Sequence, residues 1–113
     1  MNCYCVISHF REILPEDIDI QEITQQHHDY LENKAKLGSV VMAGPHVWED
    51  GSVGKGGVII LKAESKQEAE AIMQNDPFAI NKITNYTIYE YIVKNACPEL
   101  KNFSGSDHRD SRK

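Results

Sequence analysis

Two side chains of this sequence are suited to acid–base chemistry, His27 and Asp76. His27 opens the segment 27–31, which reads HHDYL, and Asp76 lies in the segment 75–78, which reads NDPF. Histidine takes up and releases a proton near neutral pH, and a neighbouring carboxylate can fix its tautomer and stabilise its charged form. The two residues therefore predict a small pocket with a histidine–carboxylate pair, provided that the fold brings them together.

The pattern of apolar residues places His27 on the inner face of a helix. The core-facing positions of the first predicted helix are three, four and four residues apart, and they are Ile20, Ile23, His27 and Leu31. This spacing is the apolar stripe of an amphipathic helix. His27 thus stands where an aliphatic side chain is expected.

Asp76 occupies the equivalent place in the second predicted helix. The apolar stripe of that helix is Ala69, Ile72 and Met73, and Asp76 is the next position in register. We expect the carboxylate to oppose the helix dipole there, which costs a few tenths to about 1 kcal/mol. A half-buried carboxylate in such a place needs a cationic or hydrogen-bonding partner, and histidine is the natural one.

Each residue also has a purely structural interpretation. A histidine on an apolar stripe is commonly a hydrogen-bonded core residue, and an aspartate before a proline commonly caps the following turn. From their positions along the two helices, at a rise of about 1.5 Å per residue, His27 and Asp76 are offset by roughly 5 Å. The sequence leaves these alternatives open.

Length, charge and cysteine content narrow the class of protein. A chain of 113 residues suffices for one domain, and its net charge of −5 argues against nucleic acid as a partner. No apolar run is long enough to span a membrane, and the N-terminus lacks the features of a secretory signal. Three cysteines in no zinc-binding pattern predict reduced thiols in a cytoplasmic protein. No metal motif and no phosphate-binding glycine motif is present, which favours chemistry without a cofactor or a metal.

The order of elements predicts an α+β fold. We expect strands over residues 3–8, 40–43, 58–63 and 83–93, and helices over 19–37 and 65–76. Gly38 ends the first helix, Gly44-Pro45 ends the second strand, Pro77 ends the second helix, and residues 46–57 form a long, mobile hairpin connection. The order βαββαβ is that of the ferredoxin-like fold, one antiparallel sheet with two helices on one face.

The sheet has a second face that also needs cover. Every residue of 40–43 and 58–61 is apolar, so both faces of these strands favour burial. Because two helices cover only one face, we expect a homodimer in which these strands contribute to a sheet-to-sheet interface.

The motifs together resemble a known family, the YciI-like (YCII-related) proteins. The residues that carry the resemblance are His27, Tyr30, Leu31, Gly38, 43–45, Gly56-Gly57, 68–69 and 76–78. The resemblance extends over residues 3–93, and it implies a dimeric α+β barrel with a His–Asp site, carried here by His27 and Asp76. Many relatives have an arginine one turn before the histidine. This chain has Thr24 and Gln25 there, which argues against a substrate anion held at that position.

Two functions of different class follow from these residues. The first is a cofactor-independent enzyme in which His27 and Asp76 perform acid–base catalysis on a small cyclic or carbonyl-containing metabolite. Gly44 and Pro45 are then expected at the pocket wall, since glycine allows close approach of the backbone to a ligand and proline stiffens it. Tyr30 and Phe78, which belong to the same motifs, complete the predicted substrate-binding residues. The second function is a non-catalytic homodimer that binds a small molecule or serves as an accessory protein.

Residues 1–95 are expected to form the YCII-related domain, and residues 96–113 a C-terminal tail. The tail contains serine, aspartate and basic residues with no apolar period from position 104 onward. Such a composition predicts partial disorder.

Overall fold

A computed structural model of the protein describes residues 1–100. Its strands are β1 (Asn2–Phe10), β2 (Val40–Val47), β3 (Val53–Ala63) and β4 (Thr84–Tyr91), and its helices are α1 (Ile20–Lys36), α2 (Lys66–Gln74), α3 (Pro77–Ile80) and a 3-10 turn at Pro98–Leu100. The strands form one antiparallel sheet in the order β2-β3-β1-β4. The predicted α+β class and ferredoxin-like order are confirmed. Most of the predicted tail lies outside the described residues.

The first helix begins and ends where the sequence predicts. The Asp19 carboxylate caps α1 by accepting a hydrogen bond from the Glu22 N–H at 3.1 Å. At the other end, Gly38 adopts a φ of 88°, the left-handed conformation that glycine reaches without steric cost. Both ends are thus fixed by local chemistry.

Within residues 1–100, no helix has the length and apolar content needed to cross a membrane.

The second helical region differs from the prediction. Helix α2 is capped by Ser65, whose hydroxyl accepts from the Glu68 N–H, but it ends at Gln74, with Asn75 as its C-cap, and does not continue to Pro77. Pro77 instead begins the short helix α3, with Asp76 as its N-cap. Proline suits the first position of a helix, since the N–H that it lacks would have no helical partner there. The predicted single helix over 65–76 is therefore two helices with Asp76 between them.

The hairpin between β2 and β3 is also shorter than predicted. Strand β2 continues through Gly44 and Pro45 to Val47, and β3 starts at Val53, so residues 48–52 make the connection. The prediction that Gly44-Pro45 ends the strand was wrong, as was the long loop over 46–57. β2 lies at the edge of the sheet, where a proline can be accommodated because its missing N–H need not disrupt pairing.

One face of the sheet packs against the helices and forms the main core. This core is built from side chains of all four strands with α1 and α2, and its largest members are Tyr4, Leu31, Leu61, Ile72, Met73 and Ile88. A second, smaller cluster consists of Ile23, Phe78 and Ile83. The smaller cluster joins α1, which carries His27, to α3, which Asp76 caps.

The opposite face of the sheet, here called the open face, is apolar and uncovered in a single chain. Strand pairing places Ile7 opposite Val58, Cys5 opposite both Ile60 and Tyr89, and Met42 opposite Ile60. Ile7, Met42 and Val58 are between 43% and 52% exposed, and Tyr89 is 56% exposed. The prediction that these strands present apolar side chains to both faces is confirmed.

Glycine is required where β3 passes closest to β1. Gly56 has a φ of 144°, and a Cβ atom there would lie 2.7 Å from the Cα of His9. Gly38 also has a positive φ, but a Cβ atom there would meet nothing within 4 Å.

We expect Gly38→Ala to lower the free energy of unfolding by about 1 kcal/mol, from backbone strain alone. Gly56→Ala should cost about 3 kcal/mol, because strain and a backbone clash add. Urea unfolding of both variants measures the difference, and equal costs would contradict the close approach.

Candidate active site

The structure brings His27 and Asp76 together. The Nδ1 atom of His27 lies 2.7 Å from Oδ1 of Asp76, within hydrogen-bond distance. The side chain of His27 is 14% exposed and that of Asp76 is 3% exposed. A carboxylate with so little access to water depends on the groups around it for its hydrogen bonds. The predicted pairing is therefore present, in a largely dry environment.

Helix α1 presents His27 from its inner face. Ile23 one turn before and Leu31 one turn after are both buried, as the apolar stripe predicts. The offset estimated from two helices does not apply, because Asp76 has extended backbone angles (φ −69°, ψ 130°) and lies outside α2. The turn between α2 and α3 carries the carboxylate to the imidazole.

Asp76 has two roles at once. Its Oδ1 atom accepts the 2.7 Å bond from His27 and also a 3.0 Å hydrogen bond from the N–H of Phe78, which makes it the N-cap of α3. Asp76 also follows Asn75, the C-cap of α2, so the predicted opposition to the dipole of α2 and a favourable place at the start of α3 occur together. At an N-cap the helix end is the favourable one for an anion. The capping interpretation and the pairing interpretation are both correct.

Phe78 holds the imidazole from one side. Its ring is parallel to that of His27, with centroids 3.9 Å apart and an interplanar angle of 9°. Phe10, at the end of β1, meets Phe78 edge-on with centroids 5.5 Å apart. The position of the His27 ring is thus restricted by a stacked aromatic group as well as by the carboxylate. Phe10 was not identified from the sequence, and only its place at the end of the first strand could have indicated it.

Tyr30 lies one turn after His27 on α1. Its hydroxyl donates a 2.7 Å hydrogen bond to the carbonyl oxygen of Ile72 in α2. Burial, and secondly the negative charge of Asp76, raise the pKa of Tyr30, so the phenol remains neutral at physiological pH. The hydroxyl connects the two helices. Its predicted role in binding substrate stays a prediction.

Gly44 and Pro45 lie on the edge strand β2 and are exposed in a single chain. They pair with Val58 and Gly57 of β3, and a Cβ atom on Gly57 would lie 2.7 Å from the Cα of Pro45. Within residues 1–100, no hydrogen bond or ring contact connects either residue with His27 or Asp76. Their place at the pocket wall also stays a prediction.

Within the described residues 1–100, no group of three or more potential metal ligands is present.

The hydrogen bond between His27 and Asp76 should be measurable as a coupling energy. We expect His27→Leu to lower the free energy of unfolding by about 1–3 kcal/mol, because the buried carboxylate loses a partner. With Asp76→Ala, the double variant should show a coupling of about 1–2 kcal/mol in urea unfolding. The matched control is His9→Leu, since His9 is an exposed histidine of β1. Additive effects of the His27 and Asp76 variants would contradict the contact.

Comparison with known proteins places this chain in a family. No curated protein matches the chain. A solved structure that does match is 5-chloro-2-hydroxyhydroquinone dehydrochlorinase from Burkholderia phenoliruptrix in complex with 2,5-dihydroxybenzoquinone, with 20% identity and a TM-score of 0.61 over 79% of this chain and 92% of that one. This likeness supports the fold. The family model for the YCII-related domain matches residues 3–92. Because this match extends over most of the sequence, the protein belongs to the YCII-related domain family.

Proposed function

We propose that this protein is a cofactor-independent enzyme in which His27 transfers a proton to and from a small cyclic or carbonyl-containing metabolite, with Asp76 as its partner. The observation that supports this proposal is the 2.7 Å contact between Nδ1 of His27 and a carboxylate that is 3% exposed. A geometry of this kind is the usual arrangement of a histidine general base and its orienting group.

The roles of the two imidazole nitrogens follow from the contact. An ionised carboxylate only accepts hydrogen bonds, so Nδ1 carries the proton and Nε2 has the free lone pair. No other described residue forms a hydrogen bond with Nε2 of His27. Nε2 is then the atom that takes a proton from a substrate, and the charged imidazolium is stabilised by Asp76. The same proton can be returned to the product or to a leaving group.

A thiol nucleophile is a poorer explanation of the site. Burial, and secondly the charge of Cys5, raise the pKa of the Cys3 thiol to about 11. A thiol with this pKa is neutral at physiological pH and is a weak nucleophile. Cys3, Cys5 and Cys97 are all free, which supports our further proposal that the protein resides in the cytoplasm.

The structural neighbour suggests which substrates to try first. That protein is a dehydrochlorinase, and its structure contains 2,5-dihydroxybenzoquinone. Loss of hydrogen chloride removes a proton and a chloride ion, and a positioned base can take the proton. We therefore extend the proposal to cyclic hydroxylated or quinone-like substrates, from which His27 would remove a proton while a leaving group departs.

A non-catalytic binding protein is the second candidate. One observation favours it, namely that Asp76 already has the structural task of capping α3 through the Phe78 N–H. A pair that stabilises the fold in this way would persist without catalysis. Binding of a small molecule without turnover would then be the function.

We also propose that a second copy of the chain covers the open face. A row of exposed side chains on this face includes Ile7, Met42, Val58 and Tyr89. A large apolar surface of this kind is uncommon on monomers. Sheet-to-sheet contact between two copies would bury it and form the dimeric α+β barrel that the family resemblance implies.

Catalysis should depend on His27 and not on an exposed histidine elsewhere in the fold. In heavy water with a panel of cyclic carbonyl and chlorinated hydroxyquinone compounds, the wild-type protein should incorporate deuterium or release chloride. We expect His27→Asn to lower the rate by about 10²- to 10⁴-fold, which is the usual contribution of a general base. His9→Asn is the matched control, since His9 is an exposed histidine of β1, and it should retain the wild-type rate. Calorimetric binding of a panel member with equal background rates for wild type and His27→Asn would instead support the binding protein.

The open-face proposal is tested by light scattering at micromolar concentration. Wild type should have the mass of a dimer, and Val58→Glu should have that of a monomer because it places a charge in the interface. Ile13→Glu is the matched control, since Ile13 is 87% exposed in the segment between β1 and α1 and should not affect the mass. A monomeric wild type, or dissociation by Ile13→Glu as well, would contradict the interface.

A further inference from the structure

A separate cavity lies where the end of β1, the start of β4 and the α2–α3 region meet. Its volume is about 480 Å³, within the range of small-molecule sites. The polar and charged side chains that line it are Arg11, Gln74, Lys82, Thr84 and Asn85. Neither His27 nor Asp76 lines it, so it is distinct from the candidate active site.

Two cationic residues, Arg11 and Lys82, line this cavity. The backbone N–H of Arg11 donates a 2.8 Å hydrogen bond to the carbonyl of Ile83, which holds Arg11 beside the residue that follows Lys82. Among the residues that the structure describes, no carboxylate lines the cavity. Within residues 1–100, neither cation forms a salt bridge. In a chain of net charge −5, two unpaired cations at one cavity constitute a local positive site.

The other lining groups are consistent with an anion. Side-chain amides of Gln74 and Asn85 and the hydroxyl of Thr84 can all donate hydrogen bonds. Tyr86 also lines the cavity, and its hydroxyl is engaged elsewhere, since it donates to Oε1 of Glu70 at 3.3 Å. Lys82 has a φ of 59°, a strained conformation held by hydrogen bonds from its own N–H to Ala79 and from Ile83 to Phe78. Strain maintained by the surrounding structure is frequent at binding sites.

We propose that this cavity binds a small anionic metabolite through a carboxylate or phosphate group held between Arg11 and Lys82. The planar Arg11 guanidinium can bind two oxygens of such a group, and the Lys82 ammonium supplies a second charge. Helix α3 connects this site to the candidate active site, since Asp76 caps its first turn and Lys82 comes directly after its C-cap, Asn81. The proposal does not require His27 to be catalytic.

Titration with inorganic phosphate, and separately with malonate, tests the site at constant ionic strength. Backbone amide resonances of residues 79–86 should shift with increasing anion and reach saturation in the millimolar range. We expect Arg11→Gln and Lys82→Gln each to weaken binding by about tenfold, the effect of losing a charge-assisted hydrogen bond. Arg11→Lys, which keeps the charge, should lose less. Saturation by phosphate alone would restrict the ligands to phosphate esters, and saturation by malonate alone would restrict them to carboxylates.

The matched control has the same net charge as the two variants. Lys55 is an exposed lysine of β3 outside the cavity, so Lys55→Gln should leave the affinity unchanged. His27→Asn should also retain binding, because the two sites are separate. A loss of affinity in Lys55→Gln equal to that in Arg11→Gln would show general charge attraction and overturn the proposal. Loss of binding in His27→Asn would place the anion at the candidate active site, and absence of saturable shifts with both anions would exclude the site.

Discussion

The buried carboxylate of Asp76 is the constraint on which the arrangement of this site depends. Among residues 1–100 it is the one charged side chain that is fully buried. A charge in that position requires hydrogen bonds, and the fold supplies them from the Phe78 N–H and from the imidazole of His27. These bonds connect α1 to α3, and the Asp76 N–H donates a 3.2 Å hydrogen bond to the carbonyl oxygen of Met73 in α2. The stability of the fold and the geometry of the candidate active site thus depend on the same atoms.

The aromatic cluster extends this constraint from the helices to the sheet. Phe78 stacks on His27, and Phe10 at the end of β1 contacts Phe78. Neither aromatic residue has a polar atom, so the cluster excludes water from one side of the imidazole without competing for its hydrogen bonds. The orientation of His27 is then set by packing in one direction and by the carboxylate in another. Two independent restraints of this kind keep an imidazole nitrogen in a fixed orientation toward a ligand, which a functional site requires.

The sequence predicted those parts of the fold that local chemistry determines. Four local features depend on residues close in the chain, and each is confirmed. They are the cap at Asp19, the left-handed conformation of Gly38, the cap at Ser65 and the inward position of His27. The errors arose where tertiary context decides. Strand β2 continues through Gly44-Pro45 because it lies at the edge of the sheet, where a proline is tolerated. No local sequence pattern indicates that a strand will lie at an edge. Likewise, Asp76 was predicted to belong to α2 but is the N-cap of α3, because a proline can begin a helix as well as end one.

Pro45 also has a consequence for how copies of this chain can meet. An edge strand offers unpaired N–H and C=O groups to any other strand, and such pairing can grow without limit into aggregates. On β2, the exposed edge of the sheet is interrupted by a residue that cannot donate. Open-ended growth from that edge is thereby disfavoured. Contact between the flat faces of two sheets is complete after one partner, whereas pairing at an edge can repeat, and Pro45 disfavours the second kind of contact.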